Sequence, residues 1–313
     1  MIVAKNLEEL SGSIGAACAT IGNFDGVHMG HRRLITRVND RARAKNMIGL
    51  VVTFDPHPLT VVGSGKRPPF ITTVKRKLEL IESLGSHLTV VLPFDKKLAA
   101  LEPEDFVREY LVQGLRVKEL VIGYDYAFGK GRKGNFDMLR ALGDQYGLRV
   151  EQLDPVIIDG AVVSSTRIRD MIRAGDVWNV KPLLGRFHEL EGTVVHGHSR
   201  GKKLGFPTAN LQPDVDLLPK TGVYAVWASL QGGLVPGVAN VGLNPTFGDN
   251  ALSVEAHLFD FSSDLYGQHL RIHLVQRLRP ERKFDNIEAL VSRIREDAAL
   301  ARDVLSSAEA ELN

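Results

Sequence analysis

Between residues 16 and about 183, short β-rich runs alternate with longer stretches whose apolar positions recur every three or four residues. The runs ACATIG (17–22), IGLVVTF (48–54), LTVVLPF (88–94), ELVIG (119–123) and LRVEQL (148–153) read as strands. Helical spacing falls at about 28–46, 74–84, 103–112 and 135–146, with a further pair at 165–173 and 176–184. That alternation predicts a parallel sheet wrapped by helices, a class whose ligands bind beyond the C-terminal ends of the strands.

After LLGRFHELEG the pattern changes. Residues 187–279 hold six β segments, FHELEGTVVH, GFPTANLQ, GVYAVWASL, VPGVANVGL, SVEAHLFDF and LRIHLVQRL, broken by the turn signals QGG, GLNP, GDN and SSDLYGQ. Six short strands with no helix between them predict a small closed or partly closed barrel. A terminal helix is expected from about 286 to 308, capped by Asp285 or Asn286. The two patterns predict two domains, 1–184 and 185–313, in keeping with a length of 313 residues.

Composition narrows the function. With 39 Lys+Arg against 37 Asp+Glu the net charge is +2, which gives no global attraction to nucleic acid or membranes, so a polyanion site has to be local. The single cysteine, Cys18, cannot form an intrachain disulfide, and no apolar run approaches the ~18 residues of a membrane span. The expectation is a soluble, cytoplasmic protein.

The local site is sought first in IGNFDGVHMGHRRL (21–34), where His28 and His31 sit at the opening of the first predicted helix. At i and i+3 the two rings share one face of its first turn, beside backbone N–H groups and the positive end of the helix dipole, a receptor for phosphate. Gly22, Gly26 and Gly30 remove side chains where a ligand must approach the backbone. Imidazoles there can stabilise charge moving onto a leaving pyrophosphate. The plain alternative is a strand-to-helix turn, and a zinc site is disfavoured because zinc helices present His at i and i+4. In VVSSTRIRDMI (162–172), Ser164, Ser165 and Thr166 precede Arg167 and Arg169, which suits a phosphate chain or, read plainly, an ordinary N-cap.

Together these stretches resemble the nucleotidylyltransferase superfamily. With TFDPHP (53–58), GYDYAFGKGRKGN (123–135), GKKLGFPTAN (201–210), GVYAV, VANVGLNPTFG and VEAHLFDF (254–261), the chain resembles the bifunctional riboflavin kinase/FAD synthetase family over almost its whole length. The resemblance implies an α/β chain: an N-terminal Rossmann-like nucleotidylyltransferase domain, then a six-stranded β-barrel riboflavin kinase domain with a terminal helix. It implies phosphorylation of riboflavin to FMN and adenylyl transfer from ATP to FMN, both with Mg²⁺. ATP is then a co-substrate, and FMN and FAD are substrate and product rather than redox cofactors. By the same resemblance His28 and His31 contact the ATP phosphates, Ser165, Thr166 and Arg169 hold them from the other side, and Gly22, Asn23, Phe24, Asp25 and Gly26 form the turn beneath the nucleotide. Asp125 and the loop GKGRKG lie toward FMN.

The barrel residues carry an argument of their own. Thr208 and Asn210 lie two apart, so in an extended segment their oxygens face one way, as hard ligands suited to Mg²⁺. Gly201, Lys203 and Gly205 offer glycine-flanked amides and positive charge to phosphates. Glu255 matches the family's base and can take the proton of the ribityl hydroxyl, while its neighbour His257 reads as a sheet-face residue. The run VKRKLELIESL reads as a solvated helix face, and Trp178 and Trp227 as core or interface. Two rivals remain: a single-activity nucleotidylyltransferase with a flavin-binding regulatory barrel, and a nucleic-acid-binding barrel. The second expects aromatic and basic residues interleaved on one sheet face, whereas here the basic residues cluster in SRGKK and QRLRPERK.

Overall fold

The computed structural model describes residues 1–10, 14–63, 67–197, 201, 204–243 and 252–311. The chain forms two compact units, Met1–Pro68 with Thr72–Ser164, and Pro69–Ile71 with Ser165–Asn313.

The first unit is built on a parallel sheet of β1 (Ile2–Ala4), β2 (Ala17–Ile21), β3 (Ile48–Asp55), β4 (Leu88–Pro93), β5 (Val117–Gly123) and β6 (Arg149–Leu153), in the order β1-β4-β3-β2-β5-β6. All five residues of β2 are buried: Ala17, Ala19 and Ile21 join one apolar cluster and Cys18 joins another. A strand covered on both faces has no polar side to show, which is why ACATI reads as a continuous apolar run. Strand order reverses at β2, with β3, β4 and β1 to one side and β5 and β6 to the other. The crevice beyond the C-terminal ends of β2 and β5 is therefore the switch point at which such sheets take ligands.

The five expected strands of this unit are all present, and β1 is an addition. Three residues are too few to show a period; β1 exists because it pairs with β4 from Ile2↔Leu88 to Ala4↔Val90. The helix expected over 103–112 is a short turn, Pro103–Asp105, followed by a π-helical segment, Phe106–Gly114. The helix expected over 176–184 shrinks to Lys181–Leu184, because Pro182 is accommodated in a helix's first turn and ends it from continuing back toward Gly175. A two-stranded ribbon of β7 (Ile157–Ile158) and β8 (Ala161–Val162) leads into helix Ser165–Ala174.

The second unit is a closed antiparallel barrel of β9 (His188–Val195), β10 (Ala209–Pro213), β11 (Gly222–Leu230), β12 (Gly233–Leu243), β13 (Leu252–Leu258) and β14 (His269–Arg279). Along β11, Tyr224, Val226 and Ala228 join the main barrel cluster, while Val223, Ala225 and Trp227 join a second cluster with Ala301 and Leu305 of the terminal helix, Ile287–Leu305. Asn286 caps that helix by accepting the N–H of Ala289 at 2.8 Å. Trp227 Nε1 donates to the Ala310 carbonyl at 2.9 Å. Val177, which precedes the barrel in sequence, is fully buried in the main barrel cluster, and Trp178 packs in the second.

Candidate active sites

In the first unit the chain leaves β2 at Gly22 and enters helix Met29–Ala44 through a turn of unusual backbone. Phe24, Gly26 and Val27 have φ of 50°, 83° and 41°. Only the glycine adopts this region freely; for Phe24 and above all β-branched Val27 it costs about 1–3 kcal/mol each. Burial holds them there, with Phe24 1% and Val27 0% exposed. The turn is also stitched to Thr72: the N–H of Gly26 donates to Thr72 Oγ1 at 3.2 Å, and the N–H of Thr72 donates to Asp25 Oδ1 at 3.2 Å.

The turn delivers His28 as the helix N-cap, with His28 Nδ1 accepting the N–H of His31 at 3.4 Å. A neutral imidazole that accepts at Nδ1 carries its proton on Nε2, so His28 is set as a donor. The two rings stack with centroids 3.5 Å apart and planes 19° apart, and His31 meets the Phe24 ring edge-on at 5.2 Å. A Cβ on Gly30 would lie 3.1 Å from His28 Cε1 and 3.2 Å from His28 Nδ1, so a side chain there would press on the ring. Asp125 is exposed in the turn after β5, and so sits at the expected strand edge. Lys130, in the basic loop beyond it, is paired with Glu102 at 3.3 Å. His57 caps the short helix Pro58–Val62 by accepting the Leu59 N–H at 3.1 Å.

Ser165 and Thr166 open helix Ser165–Ala174, as the sequence pattern predicts, and belong to the second unit. Arg169 is 7% exposed, and its Nε donates to the Pro69 carbonyl at 2.9 Å.

On the barrel, register makes the site. Asn210 of β10 lies directly opposite Glu255 of β13, and Glu255 lies directly opposite Asn240 of β12. Directly opposed residues share a sheet face with Cβ atoms about 4.5–5.5 Å apart. Their sequence neighbours Leu211, Val254, Ala256, Ala239 and Val241 fill the barrel interior, so Asn210, Glu255 and Asn240 form a row on the outer wall. Thr208 stands just before β10. Glycines close over both oxygens: a Cβ on Gly197 would be 2.6 Å from Asn210 Oδ1, and one on Gly201 3.4 Å from Thr208 Oγ1. The Gly201 carbonyl accepts the N–H groups of Leu204 and Phe206, and Gly205 takes the left-handed φ of 85° that this loop needs. Lys203 lies outside the described residues.

Two features of this row were not legible in the sequence. His257 does more than occupy a sheet face: its Nδ1–H donates to the Pro207 carbonyl at 2.8 Å, and its ring meets Phe206 edge-on at 5.5 Å, tying GFPT to the strand that carries Glu255. Asn240 was hidden in an apolar run, where a lone polar residue in VPGVANVGL was the available signal. One expectation is corrected. VKRKLELIESL is not wholly a solvated face, since Lys77 is 7% exposed and is held inside by hydrogen bonds to Asn23 and Thr53.

Comparison with known proteins finds a family match in each half of the chain. The family model for FAD synthetase matches residues 12–167, and that for riboflavin kinase matches 184–305. The bifunctional riboflavin kinase/FMN adenylyltransferase of Escherichia coli K12 is 35% identical over 305 residues, 97% of each chain. That of Bacillus subtilis 168 is 37% identical over 283 residues, 88% of this chain and 89% of the relative. A solved structure described as a macrolide-efflux protein from Streptococcus pneumoniae superposes with a TM-score of 0.86 at 31% identity, covering 96% of this chain and 98% of that one. Its description disagrees with the enzyme names, and a shared fold does not decide between them. The decision comes from the two family models and the near-full-length relatives: the chain belongs to the bifunctional riboflavin kinase/FMN adenylyltransferase family.

Proposed function

We propose that the two steps from riboflavin to FAD are divided between the two units, with FMN made on the barrel wall and adenylylated at the His28/His31 turn. The observation that carries this division is that the stacked histidines and the Asn210–Glu255 pair stand on separate units, each with its own core.

In the kinase step, the ribityl 5′-hydroxyl attacks the γ-phosphorus of ATP, its proton passes to the Glu255 carboxylate, and ADP leaves. Asn210 beside Glu255, with Thr208 ahead of it, brings neutral oxygens to the same edge of the barrel. Among the described residues no group of three or more His, Cys, Asp or Glu is placed to hold a metal ion. The glycine-walled oxygens of Thr208 and Asn210 would instead hold Mg²⁺, an ion that keeps few protein ligands. When bound, Mg²⁺ would offset phosphate charge. With no side chain at Gly197 or Gly201, phosphates would approach the backbone there closely.

In the second step, an FMN phosphate oxygen attacks the α-phosphorus of ATP and pyrophosphate leaves. His28, set as a donor at Nε2, and His31 stabilise the charge that builds on the leaving phosphates. Gly22 through Gly26 form the floor beneath the nucleotide. Asp125 lies toward FMN. No described helix is long and apolar enough to cross a membrane. We place the protein in the cytoplasm, where ATP is available and a single buried thiol is stable.

The test is direct. Incubation with riboflavin, ATP and Mg²⁺ should give FMN and then FAD when flavins are resolved by chromatography, and FMN supplied alone should give FAD. Failure of either conversion in folded protein removes that half of the reading.

A further inference from the structure

The helix Val74–Ser83 carries a buried cation that the two reactions have not used. Lys77 Nζ donates to the Asn23 carbonyl at 3.2 Å and to Thr53 Oγ1 at 3.0 Å, and Thr53 Oγ1 donates to the same Asn23 carbonyl at 3.2 Å. Asn23 and Thr53 stand at the C-terminal ends of β2 and β3, the edge from which the histidine turn departs. Burial pushes the Lys77 pKa down, and the carboxylates of Asp25 and Asp55 oppose that shift. A lysine is seldom buried without a structural or chemical return.

The geometry says what that return is. The Asn23 carbonyl and the Phe24 N–H share one peptide plane, so fixing the carbonyl fixes the plane from which Phe24 enters the left-handed region. Asn23 Oδ1 is itself buried with no hydrogen-bond partner among the described residues, so Lys77 holds the Asn23 peptide rather than its side chain. Thr72 fastens the far side of the same turn through Gly26 and Asp25. These two clamps anchor the turn at Asn23 and at Asp25–Gly26, on its way to His28.

We propose that Lys77 is a positioning residue for adenylyl transfer: its ammonium, shared between the Asn23 carbonyl and the Thr53 hydroxyl, fixes the turn that presents His28 and His31 to the ATP phosphates. This rests on the assignment of adenylyl transfer to that turn, so the experiment carries His31→Ala as a separate control.

Full-length Lys77→Met, Lys77→Arg and Thr53→Val are assayed for FAD formation from FMN with ATP varied. The same preparations are assayed for riboflavin phosphorylation and melted by circular dichroism. Lys77→Met should raise KM for ATP at least about fivefold and lower kcat roughly tenfold or more, because a misplaced site loses both binding and orientation. Lys77→Arg should recover most of that loss, Thr53→Val should raise KM for ATP about two- to threefold, and riboflavin phosphorylation should stay within roughly twofold throughout. A merely structural lysine predicts something else: kcat falling with the folded fraction while KM for ATP holds. That result overturns the proposal. If Lys77→Met does not fold, an unchanged KM for ATP in Thr53→Val overturns it. If His31→Ala retains full FAD formation, the underlying assignment fails instead.

Discussion

Cutting the chain at two nearby places should give two kinases of different stability. A fragment beginning at Gly185 starts where the strand-and-helix alternation ends, while one beginning at Ser165 keeps all of the second unit except Pro69–Ile71. The shorter fragment lacks Val177, which is 0% exposed in the main barrel cluster, and Trp178, which packs near Phe187 with ring centroids 6.2 Å apart. It also lacks Gly175, where an added Cβ would lie 2.8 Å from Arg277 Cδ and 3.2 Å from Tyr224 Oη. Burying a valine is worth about 1.5–3 kcal/mol, and the half-buried tryptophan adds about 1–2 kcal/mol. The loss, about 3–4 kcal/mol, is a large part of the ~6–15 kcal/mol expected for a domain of this size but does not exhaust it. At ~4 °C per kcal/mol the melting midpoint of Gly185–Asn313 should lie about 10–15 °C below that of Ser165–Asn313. Circular dichroism melts supply the midpoints, and chromatography should find FMN but no FAD from both fragments. Midpoints within about 3 °C of each other would refute the packing argument. FAD from either fragment would refute the division of labour.

In the whole protein, His31→Ala should cut FAD formation from FMN by roughly 10²-fold or more while riboflavin phosphorylation stays near its original rate, and an equal loss of both would point to unfolding. Glu255→Gln should do the reverse, losing about 10²–10⁴-fold in FMN formation with FAD formation from supplied FMN retained; a surviving kinase rate assigns the proton to another acceptor. Burial, with Arg186 nearby, pushes the His188 pKa down to about 4 in the folded chain. The unfolded chain then takes up a proton near pH 6.5 that the folded chain refuses, so stability is present above that pH and falls between about pH 6.5 and 4, by roughly 3 kcal/mol at most. His188→Leu should flatten that slope in melts at pH 7 and pH 5, and an unchanged slope would place the acid sensitivity elsewhere.

Several elements were legible in the chain because their cause is local. The strands β2, β3 and β4 announce themselves as apolar runs, since strands buried on both faces need no polar alternation. The terminal helix announces its start through Asn286, since a cap acts within three residues. The histidine pair was legible for the same reason: spacing of i and i+3 at a helix start puts two rings together whatever the rest of the fold does.

Other features depend on partners distant in sequence, and no local pattern carries them. β1 is a strand only because β4 offers it an edge. Lys77 looks like one charge among several in VKRKLELIESL until the ends of β2 and β3 supply the carbonyl and hydroxyl that draw it inward. Asn240 and His257 gain their places from barrel closure, which sets Asn240 opposite Glu255 and brings Pro207 to the His257 ring. The motifs, the two classes of domain and the residue types able to handle phosphate were written in the sequence by itself, because they follow from composition, period and short spacing. Which of those residues face one another was decided by tertiary structure alone, because strand register and burial are set by pairings across tens of residues that one-dimensional spacing does not encode.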